Sequence, residues 1–157
     1  MGTDIVIGQL IKVWSGFIEI HITADVAYGV WQYYMCTGDQ GFMDKYGYEL
    51  MLDCAKFWAS RLEPGEDGKL HINDVVGPDE YKEHVDDNAF TNYLMWWSIG
   101  KAIECSAQLE AEKPELYAKL GLAALRTKWA AQVGSIFLTQ PNENGVLPQD
   151  STYLRKD

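Results

Sequence analysis

A chain of 157 residues with 47% hydrophobic content can bury one core of ordinary size, since single domains run to about 100–200 residues. Its net charge of −10, with no basic cluster, excludes nucleic acid and anionic membrane surfaces as partners, because both would repel it. No apolar run approaches the ~20 residues that span a bilayer. Cys36, Cys54 and Cys105 are odd in number, widely spaced and preceded by no secretory leader, which reads as a cytoplasmic protein with reduced thiols.

Residues 1–18, MGTDIVIGQLIKVWSGFI, show a short apolar alternation without a clean helical period and stay unassigned. From Thr23 to Thr37 the spacing predicts a helix with two stripes, Val26, Val30, Tyr33 and Tyr34 on one and Ala24, Ala27, Tyr28, Trp31 and Met35 on the other. A helix apolar on two faces is buried on two faces. Gly38-Asp39 ends it, glycine being suited to the left-handed position after a helix. A second helix is expected from Gln40 to Leu62, burying Phe42, Tyr46, Leu50, Cys54, Phe57 and Trp58 and leaving Lys45, Glu49, Asp53 and Lys56 to solvent. Pro64-Gly65 stops it.

Lys69–Val76 reads as a short strand pair leading into a turn. A third helix runs from Ala89 to near Glu112, capped by Asp87 or Asn88, with Phe90, Tyr93, Leu94, Trp97, Ile99 and Ile103 on a wide apolar face. Pro114 suits the first turn of a fourth helix, Glu115 to Val133, whose stripe is Ala118, Leu122, Leu125, Trp129 and Val133. Gly145 and Pro148 punctuate a terminal loop. No repeat of fixed period occurs, but helices alternating with loops at one end predict paired helices.

Between the second and third helices the chain concentrates its acids. Glu63, Glu66, Asp67, Asp74, Asp79, Glu80, Glu83, Asp86 and Asp87 face only Lys69 and Lys82 as bases, and an acidic loop on an apolar scaffold points to a site. Gly77-Pro78 is expected to fix a turn through the free φ of glycine and the locked φ of proline. Adjacent residues of extended chain point to opposite faces, so only one of Asp79 and Glu80 enters a pocket while the other braces the loop by accepting backbone N–H groups. On spacing alone Glu80 is a solvated acid. His71 and His84 lie among carboxylates, but no His-x-x-x-His or similar ligand spacing is present, and no metal site is assigned. His21 either reaches a cleft or caps the fold. Trp14, Trp31, Trp96 and Trp97 suit a sugar platform, with core packing the better reading of each.

The run VVGPDEYKEHVDDNAFTN closely resembles the glycoside phosphorylase family of maltose, trehalose and kojibiose phosphorylases, of the glycoside hydrolase family 65 type. The resemblance continues in EIHITADVAYGVWQYYMCTGD, FWASRLE and GVLPQDSTYL, so it covers Glu19 to the end. It implies an all-α fold, a partial (α/α)6 barrel of about four main helices with a short β-like catalytic loop. Residues 1–18 are then an unassigned N-terminal segment, and residues 19–157 a fragment of the barrel catalytic domain. Four helices cannot close such a barrel, and family members are longer, so large apolar faces should seek a second copy, making a homo-oligomer.

The same resemblance implies that Glu80, the acid of GPDEY, is the catalytic general acid. In that role it would keep its proton in a partly closed cleft, where burial and the neighbouring Asp79 and Glu83 disfavour its charge. The implied reaction is the inverting cleavage of an α-glucoside disaccharide, maltose first, by inorganic phosphate acting as co-substrate, with no other cofactor. A hydrolase of the acid trehalase kind and a catalytically inert helical module are the alternatives. The family's phosphate-binding segments fall after the region covered here.

Overall fold

A computed structural model describes residues 1–154. A two-stranded antiparallel ribbon, β1 (Gly2–Thr3) with β2 (Leu10–Ile11), precedes a single turn, α1 (Ser15–Ile18). α2 then runs from Ile22–Thr37 and ends as its sequence dictates, with Gly38 at φ 64° donating to the Tyr34 carbonyl at 2.8 Å.

Asp39 opens the next helix by accepting the Phe42 N–H at 2.9 Å. The helical path from Gln40 to Arg61 is not uniform. It comprises α3 (Gln40–Phe42), a π-helical turn (Met43–Gly47) and α4 (Tyr48–Arg61). A π turn bonds i to i+5 and so holds one residue more than an α turn, which rotates everything after it relative to the face before it. That corrects the expected stripe: Tyr46 and Leu50 are exposed, and Met43, Tyr48, Met51, Leu52 and Ala55 are buried in their place, while Cys54 and Trp58 keep their predicted burial.

α5 (Ala89–Glu112) has the predicted bounds and is the central helix, packing on α2, α4 and α7. Asn88 caps it, its side-chain oxygen accepting the Thr91 N–H at 3.1 Å. Met95, Ile99, Ala102, Cys105 and Leu109 recur at helical spacing and are fully or almost fully buried. Each large apolar side chain buried in this way contributes roughly 1.5–3 kcal/mol. Ser98 and Ser106 on the same helix are also buried.

The expected fourth helix is two. α6 (Pro114–Lys119) and α7 (Leu122–Val133) are separated at Gly121, whose φ of 64° is left-handed and cannot continue a right-handed helix. The bend turns Ala118 to solvent and brings Leu116, Tyr117 and Leu120 onto the core, with Leu122 and Trp129 fully buried beyond it.

The strand pair at the second loop is β3 (Glu63–Pro64) against β4 (Leu70–His71), shorter than the expected Lys69–Val76, with Leu70 also bridging to Ile136. Burial raises the thiol pKa values of Cys54 and Cys105, the latter to about 11, so neither is a nucleophile near neutral pH. Among the described residues no helix is long and apolar enough to cross a membrane.

α2 is covered on one side only. Ala24 and Ala27 meet the core, Val30, Trp31 and Tyr34 pack partly against it, and Ile22, Val26, Tyr28, Tyr33 and Met35 stand in solvent, Met35 at 62% exposure. The molecule is therefore a stack of helices with one apolar helix face open, as a section of a helical barrel is.

Candidate active site

The GPDEY segment forms a closed loop. Val75 and Val85 exchange both backbone hydrogen bonds, each 2.9 Å, and both side chains are buried, so residues 76–84 leave and re-enter the core at one narrow neck. Val76 N–H donates to the Ile18 carbonyl at 3.1 Å, tying the neck to α1. Gly77 is required by contact and not, as expected from the sequence, by an unusual φ. A Cβ there would stand 2.3 Å from the Asn88 side-chain nitrogen, so the loop can lie against the α5 cap only with glycine at this position. Left-handed backbone occurs instead at Asp74, His84 and Asp87, with φ of 56°, 56° and 52°. These are the positive-φ non-glycine residues of the described chain, and all three lie at the ends of this loop or beside it. Such conformations cost energy and persist where their surroundings impose them.

Side-chain bonds fix the flanks. His71 is held between Asp87 (Nδ1 to Oδ2, 2.7 Å) and Asp67 (Nε2 to Oδ1, 3.0 Å) and stacks on Phe137 at 5.1 Å. Burial alone would depress the His71 pKa, but the two carboxylates outweigh it and leave the imidazole above its ordinary value. The other Asp87 oxygen accepts from Asn92 at 3.0 Å, and Asn92 also donates to the Phe137 carbonyl at 3.0 Å. His84 bonds Asp74 at 2.5 Å, and its ring meets that of Trp14 edge to face with centroids 4.2 Å apart.

Across 68 residues of sequence, Lys82 Nζ donates to both oxygens of Asp150, at 2.8 and 2.9 Å, and to Thr152 Oγ1 at 2.8 Å. Burial would raise the Asp150 carboxyl pKa, yet the ammonium and the Thr152 donors hold it below the usual carboxylate range. The Ser151 N–H donates to the Asp86 carbonyl and the Ala89 N–H to the Gln149 carbonyl, so residues 149–152 are stitched along the second half of the loop.

The tip is the opposite. Pro78, Asp79, Glu80 and Tyr81 are exposed, Tyr81 at 102%. Asp79 accepts the Tyr81 N–H at 3.2 Å and is the brace expected from the sequence. None of the ten ion pairs among the described residues uses Glu80. The partly closed cleft expected around Glu80 is not built by residues 1–154: the neck is buried, but Glu80 is exposed.

The remaining sequence candidates separate clearly. His21 is buried at the start of α2 between Asp25 (2.8 Å) and Glu19 (3.0 Å), edge-on to Phe90, and serves the fold. Trp31 packs partly against the core and Trp97 meets Tyr28 edge to face. Trp14 lies by His84 with Lys12 Nζ 3.4 Å over its ring, and Trp96 is exposed. Among the described residues no group of three His, Cys, Asp or Glu side chains is placed to hold a metal ion. The sequence reading missed the Lys82–Asp150 pair. Its signal was faint: Lys82 is one of two bases in the acidic run, and Asp150 lies in a matched motif without an assigned role.

A model described as the glycosyl hydrolase family 65 central catalytic domain matches residues 4–157, starting inside the segment left unassigned from sequence. A kojibiose phosphorylase of Halothermothrix orenii is 41% identical over 98% of this chain and 20% of its own length. An alpha,alpha-trehalose phosphorylase of Thermoanaerobacter brockii is 32% identical over 91% of this chain. A kojibiose hydrolase of Flavobacterium johnsoniae is 32% identical over 88%. The chain spans about a fifth of the length of these relatives. A solved structure of a candidate kojibiose phosphorylase from the human microbiome superposes with a TM-score of 0.74, at 23% identity, over 83% of this chain and 20% of that one, and so shares the fold.

Proposed function

This chain belongs to glycosyl hydrolase family 65, and on that premise we propose that it is the acid-bearing segment of an inverting disaccharide phosphorylase, with Glu80 as the general acid. The observation that carries the reading is the contrast within one loop: a bonded, buried neck presenting a free carboxyl at an exposed tip. Glu80 protonates the glycosidic oxygen as its bond to the anomeric carbon breaks. An oxygen of inorganic phosphate forms the new bond from the opposite face, so an α-glucoside yields glucose and β-glucose 1-phosphate. Phosphate is already an anion and needs no base, whereas an inverting hydrolase needs a second carboxylate to activate water. No cofactor beyond phosphate enters the proposal.

Two of the three curated relatives described above are named for kojibiose and none for maltose. Kojibiose is therefore the substrate we propose in place of the maltose expected from sequence. The hydrolase among those relatives supports hydrolysis as a second reading, and phosphate dependence separates the two. In the full-length polypeptide carrying this segment, glucose release from kojibiose should require phosphate and yield the β-phosphate. Glu80→Gln should lower turnover ~10²–10⁴-fold and regain much of it on α-glucosyl fluoride with phosphate, since fluoride departs without protonation. Ordinary activity of Glu80→Gln on the disaccharide would refute the assignment.

The exposed row on α2 supports self-association, in a cytoplasmic setting that keeps Cys36, Cys54 and Cys105 reduced. Sedimentation of the 157-residue chain should show dimers or larger species; a monomer that binds no apolar dye rejects this part of the proposal.

A further inference from the structure

Close to its neck the acid loop is held by the Val75–Val85 bridge, the Val76–Ile18 bond and the His84–Asp74 bond. One further hold is remote. Lys82, two residues after Glu80, reaches Asp150 and Thr152, and Asp150 is 1% exposed, so a charge lies buried in a segment 68 residues away with the loop lysine as its partner. Asp150 also accepts the Thr152 N–H at 2.8 Å and the Thr152 hydroxyl at 2.7 Å, which fixes the direction of its carboxylate before Lys82 arrives. A buried carboxylate is costly without a partner, and Lys82 supplies the cationic one from the observed turn of residues 79–82, in which the Lys82 N–H meets the Asp79 carbonyl at 3.3 Å.

We propose that Lys82 is a positioning residue: its clamp on Asp150 and Thr152 sets the height and angle at which Glu80 is presented to the glycosidic oxygen. The inference rests on the proposed role of Glu80 and adds to it the residues that aim the acid. Lys82 touches no reacting atom. It acts by removing the freedom of the loop tip, and misplacing a catalytic group by about 1 Å can cost on the order of 10²-fold in rate.

The test uses the full-length polypeptide. Lys82→Met should lower kcat on the disaccharide by ~10–100-fold with KM changed by no more than about threefold. On α-glucosyl fluoride with phosphate the same variant should lose far less, because the aim of the acid no longer matters. Lys82→Arg, which keeps the pairing, should stay near the parent. Lys82→Met/Asp150→Asn removes the unpaired buried charge, so its thermal midpoint should recover while kcat on the disaccharide stays low. Should Lys82→Met fail to fold, Thr152→Val removes the hydroxyl that accepts from Lys82 and donates to Asp150 but keeps the ion pair, and should show the same substrate-dependent split at a loss of about threefold. Parental kcat in Lys82→Met, equal losses on both substrates, or recovery of kcat together with stability in the double variant would each overturn the clamp. Glu80→Gln run alongside keeps the two ideas apart: if it is active on the disaccharide the acid assignment fails, and if it is inactive while the Lys82 variants match the parent, only the clamp fails.

Discussion

The neck and the tip of the GPDEY loop are built from adjacent residues and differ in every physical respect. At the neck, Val75 and Val85 are buried and satisfy each other's backbone groups, and Gly77 is packed so closely on Asn88 that no side chain fits. Three and four residues on, Glu80 and Tyr81 are exposed, and Glu80 has no partner in any ion pair of the described residues. A loop that were simply disordered would be loose throughout, and one that served only packing would be closed throughout. Rigidity below and openness above is the arrangement that holds a reactive group in a fixed place for something that arrives from outside.

The comparison breaks most sharply on stability. Val75→Ala removes buried methyl groups where neighbouring atoms are pinned by the Val85 bridge and cannot collapse into the space. The expected loss is roughly 1.5–3 kcal/mol in denaturant unfolding. Glu80→Ala, five residues away, should stay within about 0.5 kcal/mol of the parent. Similar losses at the two sites would mean that the tip carries packing energy and that the division is false.

A smaller effect concerns pH. His71 is the hinge pin of the neck, bonded to Asp67 and Asp87 and stacked on Phe137, with Asn92 on the far oxygen of Asp87. Its pKa is raised in the folded state above the ordinary 6.5. The protonated form is thus the one that folding favours, so its contribution is fully present below pH 6.5 and is lost as pH rises through the higher folded-state value. Asp67 runs the other way: His71 holds its pKa down, and the support it gives is lost only when the pH falls through the acid range. Thermal midpoints measured from neutral to alkaline pH should therefore fall in the parent relative to His71→Gln, which lacks the titrating group. Parallel curves would show that the His71 charge does not matter to the neck.

The bounds of α5 were legible because its signals agree: an Asn cap, apolar residues at helical spacing and a proline just beyond the end. Glu80 was singled out as the candidate acid through the GPDEY motif and the long ordered resemblance around it, not through its own chemistry. What the sequence hid was geometry that depends on distant residues. The π turn at Met43–Gly47 has no local signature, and it shifted the buried face of α4 away from Tyr46 and Leu50. Gly121 lies inside the periodic pattern read as one helix, and its left-handed φ divides α6 from α7. Lys82 could not be paired with Asp150 in advance, because nothing in a linear sequence says which buried carboxylate a lysine will reach.

The smallest expected effect is also the one that bears most directly on which carboxylate does the chemistry. Asp79 and Glu80 are neighbouring carboxylates held differently: Asp79 accepts the Tyr81 N–H at 3.2 Å and its carbonyl accepts from Lys82, while Glu80 has no ion-pair partner among the described residues. An acceptor of a backbone N–H does not need a charge, so Asp79→Asn, whose amide oxygen can take the same bond, should keep turnover within about threefold of the parent. Asp79→Ala removes the acceptor and frees the turn, and should cost more than Asp79→Asn although both lose the charge. The order Asn better than Ala is what a brace requires. The opposite order, or a loss in Asp79→Asn as deep as that of Glu80→Gln, would mean that the charge or the proton of Asp79 takes part in the reaction, and the two carboxylates of the tip would have to exchange roles.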